Sequence, residues 1–131
     1  YAYVVDCKGE FPQKIPAILA NNTHLQAAEN PKGTKLGAVY FDTSVTAKGK
    51  FGTFRVSSPA ALFAEKKDGK LILTVTDALM KKDLNSLTVY TSVPVRGEGV
   101  SKQSKNIYEI KIPLPAGAHC GQPATVTLEL L

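Results

Sequence analysis

Tryptophan is absent from this 131-residue chain, methionine occurs once, and cysteine and histidine occur twice each. Lacking tryptophan, the chain has no indole platform of the kind on which free-standing sugar-binding modules commonly stack a ring. With only His24 and His119 to offer, it excludes a multi-histidine metal centre, and no metal or cofactor is expected. No apolar run approaches the roughly 20 residues needed to cross a bilayer, so no membrane span is expected. Charged residues make up 21% and hydrophobic residues 44%, which excludes a disordered or collagen-like chain. What is there suits one domain of ordinary size, long enough to bury roughly two-thirds of its unfolded surface without a metal. The formal charge of +5 permits an anionic partner without demanding one.

The apolar residues alternate with polar ones at a period of two, and helix-length periodicity is nearly missing. Strand candidates are Tyr1–Val5, His24–Glu29, Lys35–Asp42, Gly52–Ser57, Ala61–Lys67, Leu71–Asp77, Leu87–Ser92, Asn106–Ile112 and Thr125–Leu131. About nine short strands separated by Gly, Pro and Asn predict an all-β, antiparallel β-sandwich. Pro16–Asn21 reads as one helical turn, with Pro at its start and Asn at its end. Asp77–Asn85 reads as a short helical turn or a loop crossing between sheets. Arg96–Lys105 reads as a mobile polar loop. The clearest unit is the hairpin at Lys67-Asp68-Gly69-Lys70, because Asp-Gly tolerates the positive φ that a two-residue turn demands. That turn pairs Lys67 with Lys70, Ala64 with Leu73 and Leu62 with Val75. Leu62, Ala64, Leu71, Leu73 and Val75 then share a core face. Ala61, Phe63, Glu65, Ile72, Thr74 and Thr76 share a mixed face open to cover by another domain.

Little in the chain suggests catalysis. His119 adjoins Cys120, but neighbours in extended backbone point to opposite sides, which disfavours a nucleophile–base pair. Arg96-Gly97-Glu98-Gly99 has two glycines and no helix after it, so it is no phosphate loop. The carboxylates are scattered, and their spacing argues for solvation instead of a glycosidase pair. The cations fall into two groups. Lys48, Lys50 and Arg55 lie in one loop-to-strand segment, and Arg96, Lys102 and Lys105 lie in the polar loop. Either group is a candidate contact for an anionic polysaccharide, since Arg grips a carboxylate or sulfate through two parallel hydrogen bonds. A solvated lysine surface is the competing reading. Phe51 and Phe54 interleave with the cations but at strand spacing suit a core, so nucleic acid is not expected as a partner. Cys7 and Cys120 are too far apart in sequence for a redox or zinc motif. They are either a staple between the first and last segments or two unrelated thiols.

The run from Val56 to Asp77, with Ser58-Pro59-Ala60 followed by strand, Asp68-Gly69 hairpin and strand, resembles the C-terminal β-sandwich domain of polysaccharide lyase family 8. That family comprises hyaluronate, chondroitin and xanthan lyases. Ile18–Ala28 resembles that domain's opening segment, Lys35–Phe41 the strand after it, and Tyr1–Val5 the tract leading in from the preceding β-domain. The chain departs from the family at Asp77-Ala78-Leu79, where Asp-Pro-Thr is common, and the resemblance fades beyond Val89. It implies that residues 1–10 are the tail of a preceding β-domain or a linker and that residues 11–131 form the sandwich. It further implies an exported bacterial protein, secreted, periplasmic or on the cell surface. Its catalytic Asn/His/Tyr/Arg set would lie in an upstream helical toroid and carry out β-elimination on a uronic acid. No such motif maps onto this chain. The expected role is therefore a non-catalytic accessory domain that supports upstream domains of the same chain and contacts carbohydrate weakly. An independent carbohydrate-binding or adhesion module is the alternative. The opening inside a strand-like run fits a C-terminal fragment of a longer protein; a mature secreted protein freed of its leader is the other reading. If Cys7 and Cys120 are bridged, the intact mass of the non-reduced protein will fall short of the reduced mass by the hydrogens lost in the bond. Two freely alkylated thiols in the native protein would exclude the staple.

Overall fold

The computed structural model describes residues 14–131. Twelve strands lie among them: β1 (Ala17–Asn21), β2 (Leu25–Glu29), β3 (Lys35–Tyr40), β4 (Ala47–Gly49), β5 (Gly52–Val56), β6 (Ala60–Lys67), β7 (Lys70–Asp77), β8 (Ser86–Thr91), β9 (Val95–Arg96), β10 (Val100–Ser104), β11 (Ile107–Pro113) and β12 (Ala124–Leu130). They form two antiparallel sheets packed as a sandwich. The seven-stranded sheet has the order β1-β2-β3-β6-β7-β12-β9, and the five-stranded sheet the order β10-β11-β8-β5-β4. One short 3-10 turn, Gly117–His119, precedes β12. No helix among the described residues is long and apolar enough to cross a membrane.

The all-β sandwich expectation holds, and the eight candidate strands that fall among the described residues become twelve. Each addition has a physical reason. The expected helical turn at Pro16–Asn21 is strand β1, paired with β2 through Ala17↔Glu29 and Asn21↔Gln26. Tertiary pairing overrides the Pro and Asn signals there. The expected mobile loop Arg96–Lys105 contains Arg96, the last residue of β9, and all of β10. Strand β10 is an outermost strand and exposed over most of its length, so it carries no apolar alternation to read. β4 and β9 are too short to show any period. Asp77–Asn85 contains no helix and takes the crossing-loop alternative from β7 in one sheet to β8 in the other. Buried Asp77 shapes that crossing by accepting hydrogen bonds from the Leu79 N–H at 2.9 Å and the Lys81 N–H at 2.6 Å. The candidate strand Tyr1–Val5 lies outside the described residues, as does Cys7, the residue on which the candidate bridge to Cys120 depends.

The Asp68-Gly69 turn behaves as its chemistry demands. Asp68 has φ 50° and Gly69 φ 72°, the pair of positive values that lets a two-residue turn follow the strand twist. The register that results is Lys67↔Lys70, Ala64↔Leu73 and Leu62↔Val75. Ala64, Leu71, Leu73 and Val75 are fully buried, and Leu62 nearly so. They meet Phe54, Val56, Leu87, Val89, Ile110 and Ile112 in one core. The polar link across that core is Tyr40, wholly buried on β3, whose hydroxyl donates to the Phe54 carbonyl of β5 at 2.6 Å. Burial pushes its phenol well above the ordinary tyrosine value, against a smaller opposing hydrogen bond from the Ala47 backbone. Glu29, also buried, turns its carboxylate inward and accepts the Lys50 N–H at 2.8 Å, tying β2 to the β4–β5 turn.

Two outcomes test this core. Leu73→Ala should cost about 2–5 kcal/mol in denaturant titration, the usual range for emptying a core leucine site; a loss below about half a kcal/mol would show the register to be wrong. Tyr40 supplies the second. Its folded pKa is raised, so its contribution is complete below the unfolded value of about 10 and is lost as pH climbs above it. Stability should therefore fall more steeply with alkaline pH in the native chain than in Tyr40→Phe, and identical slopes would contradict the buried phenol.

Candidate functional site

The sandwich has two outward faces, and they differ in chemistry. On the seven-stranded sheet, a row runs Ala28, Gly37, Phe63, Thr74 and Thr125 across five paired strands. Phe63 is 43% exposed beside the side-chain-free Gly37, above which a Cβ would meet nothing within 4 Å. Val39, Ala61 and Ile72 lie half-buried around it. This is the mixed face read from the hairpin pattern.

The outer face of the five-stranded sheet carries the more polar surface. Alternation on β5 buries Phe54 and Val56 and turns Thr53 and Arg55 outward. On β8 the same alternation buries Leu87, Val89 and Thr91 and turns Thr88 and Tyr90 outward. Register sets Arg55 opposite Tyr90 and Tyr90 opposite Glu109. The Arg55 guanidinium carbon sits 4.3 Å from the centre of the Tyr90 ring, inside the range where a cation is held by the negative face of an aromatic ring. Thr46, Thr53, Arg55, Tyr90, Gln103, Ser104 and Ile107 line a groove of about 250 Å³ there. A shift of register between Lys102 and Ser104 places Gln103 out of the β10–β11 pairing. The Gln103 amide then donates to the Glu109 carboxylate. Thr53 is pinned from behind, its N–H donating to Ser92 Oγ at 2.9 Å.

The two cation groups read from the sequence are kept together only in part. Arg96 is on β9, in the seven-stranded sheet, where its Nε donates to Glu129 at 2.7 Å. Lys102 is on β10, in the other sheet, with its ammonium 5.8 Å from the Tyr108 ring centre. Lys105 sits in the turn between β10 and β11, next to Ser104 of the groove. Lys50 lies in the β4–β5 turn, its stem against Gly33 and its ammonium 3.4 Å from the Pro31 carbonyl. Lys48 pairs with Thr53 and so shares the outer face with Arg55. Of the six candidates, Arg55 alone lines the groove, with Lys48 beside it and Lys105 at its rim. The sequence reading missed Tyr90, Thr46, Thr53, Gln103, Ser104 and Ile107. Tyr90 had a signal, since it falls on the outward side of an alternating run between buried Val89 and Thr91.

Both histidines are exposed. His24 Nδ1 is 3.3 Å from Asp42 Oδ2 on an open surface. The Ser44 N–H and hydroxyl both bond Asp42 at 2.8 Å. These bonds hold its carboxyl below the usual range, with His24 a smaller contributor. An exposed carboxylate stabilised in its ionised form is a poor proton donor. His119 ends the short 3-10 turn and is exposed. No three His, Cys, Asp or Glu side chains gather as a metal site among the described residues.

Comparison with known proteins agrees with this architecture. Two solved structures of Streptomyces coelicolor A3 chondroitin AC lyase have a similar fold. One is in complex with chondroitin sulphate, with TM-score 0.63, and the other is its Y253A mutant, with TM-score 0.62. At 15% identity to each, the likeness covers 88% of this chain and shows the fold. The chain spans 15% of the length of each lyase. No curated protein matches it in sequence. The family model for the polysaccharide lyase family 8 C-terminal beta-sandwich domain matches residues 17–90, from β1 to the next-to-last residue of β8. The chain therefore belongs to the C-terminal β-sandwich domain of polysaccharide lyase family 8.

Proposed function

We propose that this chain is the non-catalytic accessory domain of an exported bacterial lyase that cleaves a uronate-containing polysaccharide such as chondroitin sulfate or hyaluronan. The family match carries the reading. In β-elimination a base removes the proton beside the uronate carboxyl while the glycosidic oxygen leaves. The site must also neutralise that carboxyl and protonate the leaving oxygen. The side chains at hand are poorly suited to this. Tyr40 is buried with a raised pKa and committed to the Phe54 carbonyl. His24 and Asp42 form an exposed pair. On this reading catalysis falls to other parts of the lyase. The row of Ala28, Gly37 and Phe63 on the seven-stranded sheet supports a buttressing role, because a half-apolar face with an exposed phenylalanine among small residues suits contact with a neighbouring β-domain.

The test is direct. The pure chain, incubated with chondroitin sulfate or hyaluronan, should give no rise in the absorbance of the unsaturated uronate product. Turnover that scales with the amount of the chain would overturn the accessory reading.

A further inference from the structure

The groove over Tyr90 belongs to neither the buttressing face nor any catalytic set. We propose that it is a subsite for one anionic sugar unit, with Arg55 gripping the carboxylate or sulfate and the threonine, serine and glutamine side chains meeting the hydroxyls. The choice of a sugar as the carrier of the anion rests on the reading of the chain as part of a polysaccharide lyase. The choice of an anion rests on the geometry.

Three observations carry it. First, Arg55 is exposed yet held in place. Its guanidinium rests on the Tyr90 ring at 4.3 Å, and it takes part in none of the three ion pairs among the described residues. Nor does its guanidinium donate a side-chain hydrogen bond among those residues, so the planar fork of N–H donors is available to a carboxylate or sulfate. Restraint by the ring reduces the rotamer entropy lost when a ligand is bound. Second, the carboxylate in the same cross-strand row, Glu109, lies two strands from Arg55, at about 10 Å by strand spacing. It accepts from Gln103 and forms no ion pair with Arg55 among the described residues. Lys48 adds a further cation on the Arg55 side. The groove is therefore polarised, with Arg55 and Lys48 at the β4–β5 end and the hydrogen-bonding groups, beside Glu109 and the rim residue Lys105, toward β10 and β11. An anionic ring with hydroxyls at its far edge fits that polarity. Third, the volume of about 250 Å³ falls below the roughly 300–1,000 Å³ of pockets that engulf a drug-sized ligand. The groove suits one unit of a chain that runs on across the surface, its CH groups against Tyr90 and Ile107.

The experiment is a titration of the isotope-labelled chain, followed by amide chemical shifts, with a chondroitin sulfate tetrasaccharide. A neutral cellulose-derived tetrasaccharide is the parallel probe. The chondroitin probe should shift amides around Thr53, Tyr90, Gln103 and Ser104 and weaken with added salt. The neutral probe should bind at least about tenfold more weakly. Arg55→Ala should lower affinity for the anionic probe about tenfold or more, and Arg55→Lys a few-fold, since the charge stays and the fork is lost. Arg96→Ser, on the other sheet, should leave the affinity unchanged. Arg55 is exposed, and unshifted amides of Leu73 and Val89 in each variant confirm an intact core. Unchanged affinity in Arg55→Ala, equal loss in Arg96→Ser, equal binding of the neutral probe, or no shifts at millimolar probe would each overturn the subsite. All of these leave the accessory role standing, because that role is read from product formation and not from binding.

Discussion

The register of one hairpin governs the sandwich. Asp68 and Gly69 both adopt positive φ, which closes the β6–β7 turn in two residues and leaves no freedom in what faces what. β6 and β7 sit in the interior of the seven-stranded sheet, so their register is passed to β3 on one side and β12 on the other. A slip of one residue would turn Leu62, Ala64, Leu71, Leu73 and Val75 to solvent and drive Phe63, Glu65 and Thr74 inward. The five-stranded sheet then packs onto a surface already fixed, and Tyr40 ties the two layers through the Phe54 carbonyl. A hydroxyl in that position has to reach its acceptor, because a buried donor left unmade costs about 1–3 kcal/mol. The tie thus sets the alignment of the layers as well as joining them.

Once the inner faces are spent on the core, the outer faces are left to function, and they diverge. The seven-stranded sheet presents small residues, threonines and one half-exposed phenylalanine in a transverse row. The five-stranded sheet presents an arginine laid over a tyrosine, with hydroxyl and amide side chains around a shallow groove. The first suits a broad contact with another β-layer. The second suits a small polar ligand approached from solvent. The proposed buttressing contact and the proposed subsite thus occupy opposite faces of one domain.

Nearness in sequence does not by itself keep the candidate cations together, for a topological reason. Arg96 and Lys102 are six positions apart, yet the chain passes from one sheet to the other between them. Conversely, Arg55 and Gln103 are far apart in sequence and line one groove. Lys48 and Arg55 stay on one face because they share a hairpin whose alternation is intact. Lys50, in the turn of that same hairpin, is drawn away by packing on Gly33.

The alternation and the Asp-Gly turn determined the fold class, the central hairpin's register and most of the core, since period-two burial and turn geometry are local properties of the chain. Leu87–Thr91 likewise carried enough pattern to place Tyr90 outward. Local pattern said nothing of which sheet each strand joins, because β9 and β10 are held by pairing with β12 and β11 and not by their own sequences. The shift of register beside Gln103, the inward Glu29 and the Arg55–Tyr90 stack were likewise settled by tertiary structure alone. Each depends on distances between residues remote in the chain, and those distances exist only once the two layers have closed on a common core.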